Sequence, residues 1–161
     1  MKIPHLLLTA LLALVITGCS KKEEPVSAAA APAAAGPRTI ELTANDSMKY
    51  NLNSISLAVG EEVRLSLSNI GSMPKQAMAH NLVVLKAGSD SAAFATAAAA
   101  SPATEYIPAA LAGEVIAHTK MLGPKQTDSI VVKFTAPGEY PFLCSFPAHF
   151  QVGMKGTITV R

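Results

Sequence analysis

From Thr39 onward, apolar residues recur at every second position, a period that few folds can use. Ile40 and Leu42 alternate with polar neighbours. Leu52, Ile55, Leu57 and Val59 lead to a turn at Gly60-Glu61, and Val63, Leu65 and Leu67 then alternate with Arg64, Ser66 and Ser68. Such a period puts apolar side chains on one face of a strand and polar ones on the other. Leu82–Leu85, Ser129–Thr135, Glu139–Cys144 and Gly156–Arg161 are further strand candidates, separated by turn signals at Gly71, Gly88, Gly123-Pro124 and Pro137-Gly138. About seven short strands predict an all-β fold, a two-sheet antiparallel sandwich. Residues 89–118 interrupt the strands. Ser89-Asp90-Ser91 suits the cap of an alanine-rich segment that ends near Ser101-Pro102, which predicts a short helix on an inserted flap.

The chain has 161 residues, enough for one domain with attachments. Its formal net charge is +2, and no basic run exceeds Lys21-Lys22. That gives a nucleic acid no electrostatic foothold. The N-terminus reads as an export signal. Lys2 and His5 precede the apolar stretch Leu6–Ile16, which is well short of the ~20 residues a spanning helix needs. Val15-Ile16-Thr17-Gly18-Cys19 resembles a bacterial lipobox, in which the cysteine is lipidated and becomes the mature N-terminus. The alternative is an ordinary secretory signal with an incidental cysteine. Residues 20–37, Lys- and Glu-bearing and then Ala-rich with Pro32 and Pro37, show no apolar period to bury. If flexible they reach roughly 25 Å on average, and in polyproline geometry about 55 Å. The expected organisation is a lipoprotein signal at 1–18, a lipidated N-terminus and tether at 19–37, and one folded domain at 38–161. Lipid on Cys19 would anchor the protein to a membrane, with the domain facing the periplasm or the cell exterior. Ser20 stands where inner-membrane retention commonly uses Asp, which favours the outer membrane.

Cys144, His149 and Met154 stand close together in Cys-Ser-Phe-Pro-Ala-His-Phe-Gln-Val-Gly-Met, on one loop between two strands. A further histidine, His80, precedes the strand at Leu82. Taken singly, a Met is ordinarily core packing, a loop His solvent-facing, and a buried Cys a small hydrophobe. The cysteine tips the balance. With Cys19 consumed by lipid, Cys144 has no disulfide partner in an oxidising compartment, so its thiol is either deeply buried or metal-bound. Two imidazoles, a thiolate and a thioether form the ligand set of an electron-transfer copper site.

These segments resemble azurins and auracyanins, which belong to the cupredoxins. Ala77-Met78-Ala79-His80-Asn81 is similar to the first-histidine segment of that family, and Val115-Ile116-Ala117-His118-Thr119-Lys120 to a surface segment. Phe142-Leu143-Cys144-Ser145-Phe146-Pro147-Ala148-His149 is similar to the copper loop, and Met154-Lys155-Gly156-Thr157 to its exit. The resemblance spans residues 39–161 and implies a Greek-key sandwich with one type 1 copper per chain. It makes His80, Cys144 and His149 equatorial ligands, Met154 the weak axial one, and the Ala79 carbonyl a weak donor opposite. Asn81 would tie the two ligand segments together, and Phe146 would lie beside them. An apolar patch of Met73, Pro74, Ala77, Met78, Phe146, Pro147, Ala148 and Phe150 would surround the solvent-exposed edge of His149 and meet redox proteins transiently. Three features depart from the family. The His149–Met154 spacing is one residue longer than in azurins, with Gly153 placed to absorb it, the N-terminal disulfide is missing, and Leu82 replaces a Trp.

The resulting expectation is a monomeric, non-enzymatic one-electron carrier cycling Cu(I)/Cu(II). A copper-handling lipoprotein, buffering or delivering the ion, is the second reading, but it calls for exchangeable Met- or His-rich clusters, and the methionines here are scattered. An enzyme would need an open coordination position or a second metal site, and only His5 and His118 are spare. With the coordination shell full, His118 is expected at the surface.

Overall fold

The computed structural model describes residues 36–161. The signal, Cys19 and most of the tether lie outside the described residues. Eight strands form two sheets. β1 (Arg38–Ala44), β3 (Glu62–Asn69) and β6 (Thr127–Lys133) make a three-stranded sheet in the order β1-β3-β6. The other sheet has β2 (Ser54–Leu57), β4 (Val83–Leu85), β5 (Val115–His118), β7 (Gly138–Leu143) and β8 (Lys155–Val160), in the order β2-β8-β7-β4-β5.

The predicted two-sheet sandwich is the observed architecture, but not all its pairs are antiparallel. β1 runs parallel to β3, and β2 parallel to β8. The cause is connectivity. The chain leaves β1, crosses to the opposite sheet as β2, and returns as β3, so β1 and β3 point the same way. A parallel neighbour needs a crossover of this kind, whereas a hairpin gives an antiparallel one.

Leu42, Val63, Leu65 and Leu67 from the smaller sheet meet Ile55, Val84, Phe142 and Ile158 from the larger, and all are buried. Each such side chain contributes roughly 1.5–3 kcal/mol relative to exposure. β4 is buried on both faces. Val84 enters the sandwich, while Val83 and Leu85 face outward and are covered by Phe94, Ala95 and Ala98. This explains why Leu82–Leu85 reads as a continuous apolar run and not as an alternation.

The cover is a helix on the flap. Asp90 caps it, its carboxylate accepting the N–H groups of Ala92 at 2.9 Å and Ala93 at 3.0 Å. The helix runs Ser91–Ala99, close to the predicted span. A one-turn helix at Lys75–Met78 precedes β4 and was not expected. In chain order these helices are α2 and α1. β5 also corrects the reading of 89–118 as wholly an interruption. It is an edge strand with Ile116 turned toward solvent, 37% exposed, so its pattern does not announce a buried face.

Candidate metal centre

Strand pairing gathers the chemistry at one end of the sandwich. Cys144 follows β7 directly, and Leu143 at the end of that strand pairs with Val83 at the start of β4 and with Lys155 at the start of β8. His80 therefore arrives from the segment before β4, and His149 from the loop joining β7 to β8. Nitrogen atoms of the two rings and the Cys144 sulfur all lie within 4.8 Å of one another. Cys144 Sγ is 3.4 Å from His149 Nδ1, and the two ring centroids are 4.9 Å apart. All three residues are buried, and His149, at 2% exposure, is less open at its ring edge than the resemblance implies.

The backbone around them is tied from several directions. His80 N–H donates to the Leu122 carbonyl at 3.1 Å, and Leu122 N–H returns the bond at 2.8 Å. Asn81 bridges the ligand-bearing segments: its Nδ2 donates to Ser145 Oγ at 2.8 Å, and its Oδ1 accepts from Ser145 N–H at 2.9 Å. Met154 is fully buried; its N–H donates to the His149 carbonyl at 3.0 Å, and its carbonyl accepts from Cys144 N–H at 3.1 Å. Ala148 takes φ 69°, a left-handed conformation that turns the loop just before His149. Gly153 takes φ 97°, so the longer loop has its bend at a residue without a Cβ.

Electrostatics leaves the donors uncharged when no ion is bound. Burial pulls His149 down to about 4 and also lowers His80, so both rings are neutral and their lone pairs free. Burial pushes the Cys144 thiol up to about 12, against the Asn81 and Phe146 backbone N–H groups, which favour a sulfur anion. The Asn45 carbonyl favours a proton on His80 without reaching hydrogen-bond geometry. Both His80 nitrogens are thus buried with no partner, which is costly for an imidazole unless something else binds there. One soft cation would take the lone pair of one His80 nitrogen together with one from His149 and stabilise the thiolate, and the donor set fits copper.

The other expected residues divide by exposure. Ala79 is buried; Met78, Phe146 and Pro147 are half-buried; Ala148 and Met73 are exposed. The Phe146 ring lies between Tyr106, at 5.3 Å, and His149, at 4.8 Å, centroid to centroid. His118 is exposed, on β5. Several supports had no signature in the sequence. The Tyr50 hydroxyl donates to the Asn81 carbonyl, and Thr119 Oγ1 accepts from Leu82 N–H at 2.9 Å. Asp46 holds Ser72 through its N–H and its hydroxyl, each at 2.9 Å.

A small β-sandwich with a buried two-His, one-Cys cluster at the end of its strands defines a mononuclear copper protein. Residues 38–161 match the family of copper binding proteins described as plastocyanin/azurin. The azurin of Alcaligenes faecalis is 38% identical over 123 residues, covering 74% of this chain and 94% of that protein. Auracyanin-B of Chloroflexus aurantiacus is 34% identical over 125 residues, covering 76% of this chain and 52% of that one. Among solved structures, dithionite-reduced auracyanin of Roseiflexus castenholzii superposes with TM-score 0.65 at 32% identity, over 76% of this chain and 96% of that one. An azurin of Methylomonas superposes with TM-score 0.67 at 28% identity, over 77% and 98%. The chain belongs to the plastocyanin/azurin family, and its cofactor is copper.

Proposed function

We propose that the chain is a one-electron carrier in which His80, Cys144 and His149 are the principal ligands of a single type 1 copper and Met154 is a weak one. The observation that carries this reading is the buried convergence of two neutral imidazoles and a thiol, with both His80 nitrogens otherwise unsatisfied. Bound copper would supply the Cu(I)/Cu(II) couple, since sulfur donors favour the reduced ion and imidazole suits both states.

The chain's own contribution is rigidity. Leu122 fixes the His80 backbone from both sides, Asn81 clamps the Cys144 segment, and Cys144 and Met154 are joined across the base of the loop. Donors held in this way would move little when a bound ion changes redox state, which is what a carrier requires. We assign the Ala79 carbonyl as a further weak donor, and Asn81 and Phe146 as the residues that hold the ligand shell in place.

The same reading places the domain at the end of a tether, lipid-anchored through Cys19 to a bacterial membrane, the outer one favoured, in the periplasm or at the cell surface. Its support is the lipobox-like Val15–Cys19 and the unpatterned residues 20–37. Met73, Met78, Phe146, Pro147 and Ala148 would form the apolar patch through which monomers meet redox proteins briefly. No enzymatic step is assigned.

Voltammetry of the copper-loaded full chain tests the carrier. A reversible one-electron wave, with copper retained against a chelator, is the expected result. Copper that is readily stripped and gives no reversible wave would favour a handling role, and steady turnover of nitrite or oxygen would make the protein an enzyme.

A further inference from the structure

We propose that the end of the sandwich bearing His149 is the docking face for a redox protein with an acidic rim, selected by Lys49, Lys125 and Lys155. The inference rests on the carrier reading and adds the chemistry of its partner.

Strand register shows which loops share that end. Ala44 pairs with Asn69, and Ser68 with Thr127; in the other sheet Ser54 pairs with Thr157, and Leu143 with both Val83 and Lys155. The loop from β1 to β2 links the two sets, so residues 45–53, 70–82, 119–126 and 144–154 crown one end. Lys49, Lys125 and Lys155 stand on or beside these loops, all exposed.

Each ammonium group is positioned, yet none is neutralised. Lys49 Nζ donates to the Val152 carbonyl, Lys125 Nζ to the Ile70 carbonyl at 3.0 Å, and Lys155 Nζ lies 4.1 Å from the centroid of the Phe150 ring. Among the described residues the ion pairs are Arg38–Glu61 and Lys75–Glu105, and neither includes these three lysines. The three carboxylates at this end, which keep their charge, face other partners and are outnumbered by five exposed lysines, Lys49, Lys75, Lys120, Lys125 and Lys155. Asp46 holds Ser72, Glu105 faces Lys75, and Asp128 accepts the Lys120 N–H at 2.8 Å.

Exposed apolar side chains stand on the same loops as the lysines. Ile70 is 52% exposed, Val152 44% and Met73 40%, and Lys125 and Lys49 hold the carbonyls of the first two. An apolar centre with a charged rim is the arrangement of a protein interface. Unpaired charges at such a rim act mainly on encounter rate and partner choice. A positive rim repels a basic partner and draws an acidic one. An anionic lipid surface is the other candidate, but it would cover the side from which His149 must exchange electrons.

The test uses the full chain loaded with copper, reacted in stopped flow with an acidic and a basic c-type cytochrome over a range of ionic strength. Hexacyanoferrate(III) and tris(phenanthroline)cobalt(III) serve as small anionic and cationic oxidants. The acidic cytochrome and hexacyanoferrate should react faster at low salt and slow as salt rises, and the cationic oxidant should show the opposite slope. K49Q/K125Q/K155Q should lower the acidic-partner rate about tenfold at low salt. K86Q/K133Q/R161Q removes the same charge from the far end and should leave that rate within about twofold. Equal losses from the two triple variants, or flat salt slopes in the wild type, would overturn the proposal. So would lysine-dependent binding to phosphatidylglycerol vesicles with the cytochrome rates unchanged. The wild-type slopes decide the matter even if a triple variant fails to fold. Flat slopes with an intact reversible wave reject only the docking face, whereas loss of the wave rejects the carrier.

Discussion

Asn81 and Ser145 grip each other twice, side chain to hydroxyl at 2.8 Å and backbone N–H to side chain at 2.9 Å, across 64 positions of sequence. Both residues are buried, and they neighbour His80 and Cys144 respectively. The pair thus ties one ligand-bearing segment to the other independently of any ion. Asn81→Ala would leave the Ser145 N–H buried without an acceptor. The expected loss is about 2–3 kcal/mol of stability in the metal-free protein. Copper affinity should fall about 10–100-fold. Denaturant melts and a chelator competition would measure the two effects. A variant indistinguishable from wild type in both would show that the clasp supports nothing.

Gly156 bears on stability alone. A Cβ there would lie 2.4 Å from the Asn53 carbonyl oxygen and 2.3 Å from Phe142 Cζ. The first neighbour is backbone in the β2–β8 region and the second a buried core ring, so neither yields easily. Gly156→Ala should cost about 1–3 kcal/mol through overpacking, read as a lower midpoint in a denaturant melt. An unchanged midpoint would mean that β8 can shift away from β2 without loss.

Acid should loosen the loop after β3 through Asp46. Backbone and hydroxyl bonds from Ser72 and a backbone bond from Met73 hold this carboxyl below its usual range. A folded pKa below the unfolded one means the bonds add stability fully above pH ~4. That stability disappears as pH falls through the depressed folded value, where the carboxylate takes up a proton. Asp46→Asn lacks the titration, so its metal-free unfolding midpoint should vary less with pH below ~4 than that of the wild type. Parallel pH profiles for the two proteins would contradict this assignment.

Cys19 governs the anchor. If the lipobox reading holds, Cys19→Ser should move the protein from the membrane fraction to the soluble fraction while leaving copper binding intact. Membrane retention of the variant would point to another attachment.

The parts of this protein legible from sequence are those in which neighbouring residues cooperate. Asp90 and the alanines after it predicted α2 because capping and propensity act within a few positions. The Cys144–Met154 loop could be read because its donors are close in sequence, and the alternation around Val63–Leu67 reflects a strand with one face against the core. β5 was not legible, since an edge strand with an exposed Ile116 has no single buried face to impose a period. Nor were the parallel pairs, because alternation reveals that a strand has an inside but not which strand lies beside it. Tyr50, Asp46 and Thr119 act on partners 26–37 positions away, and nothing local marks them for that work.

The central claim is that the Cys144 sulfur and the His80 and His149 rings bind one copper ion together. Absorption and EPR spectra of the copper(II) form test it most directly, for the wild type and for Cys144→Ala. The wild type should be intensely blue from thiolate-to-copper charge transfer, with the narrow copper hyperfine splitting of a type 1 site, and the variant should lose the colour entirely. A pale wild-type protein with the spectrum of a tetragonal nitrogen–oxygen site, or a blue colour that survives in the variant, would contradict it.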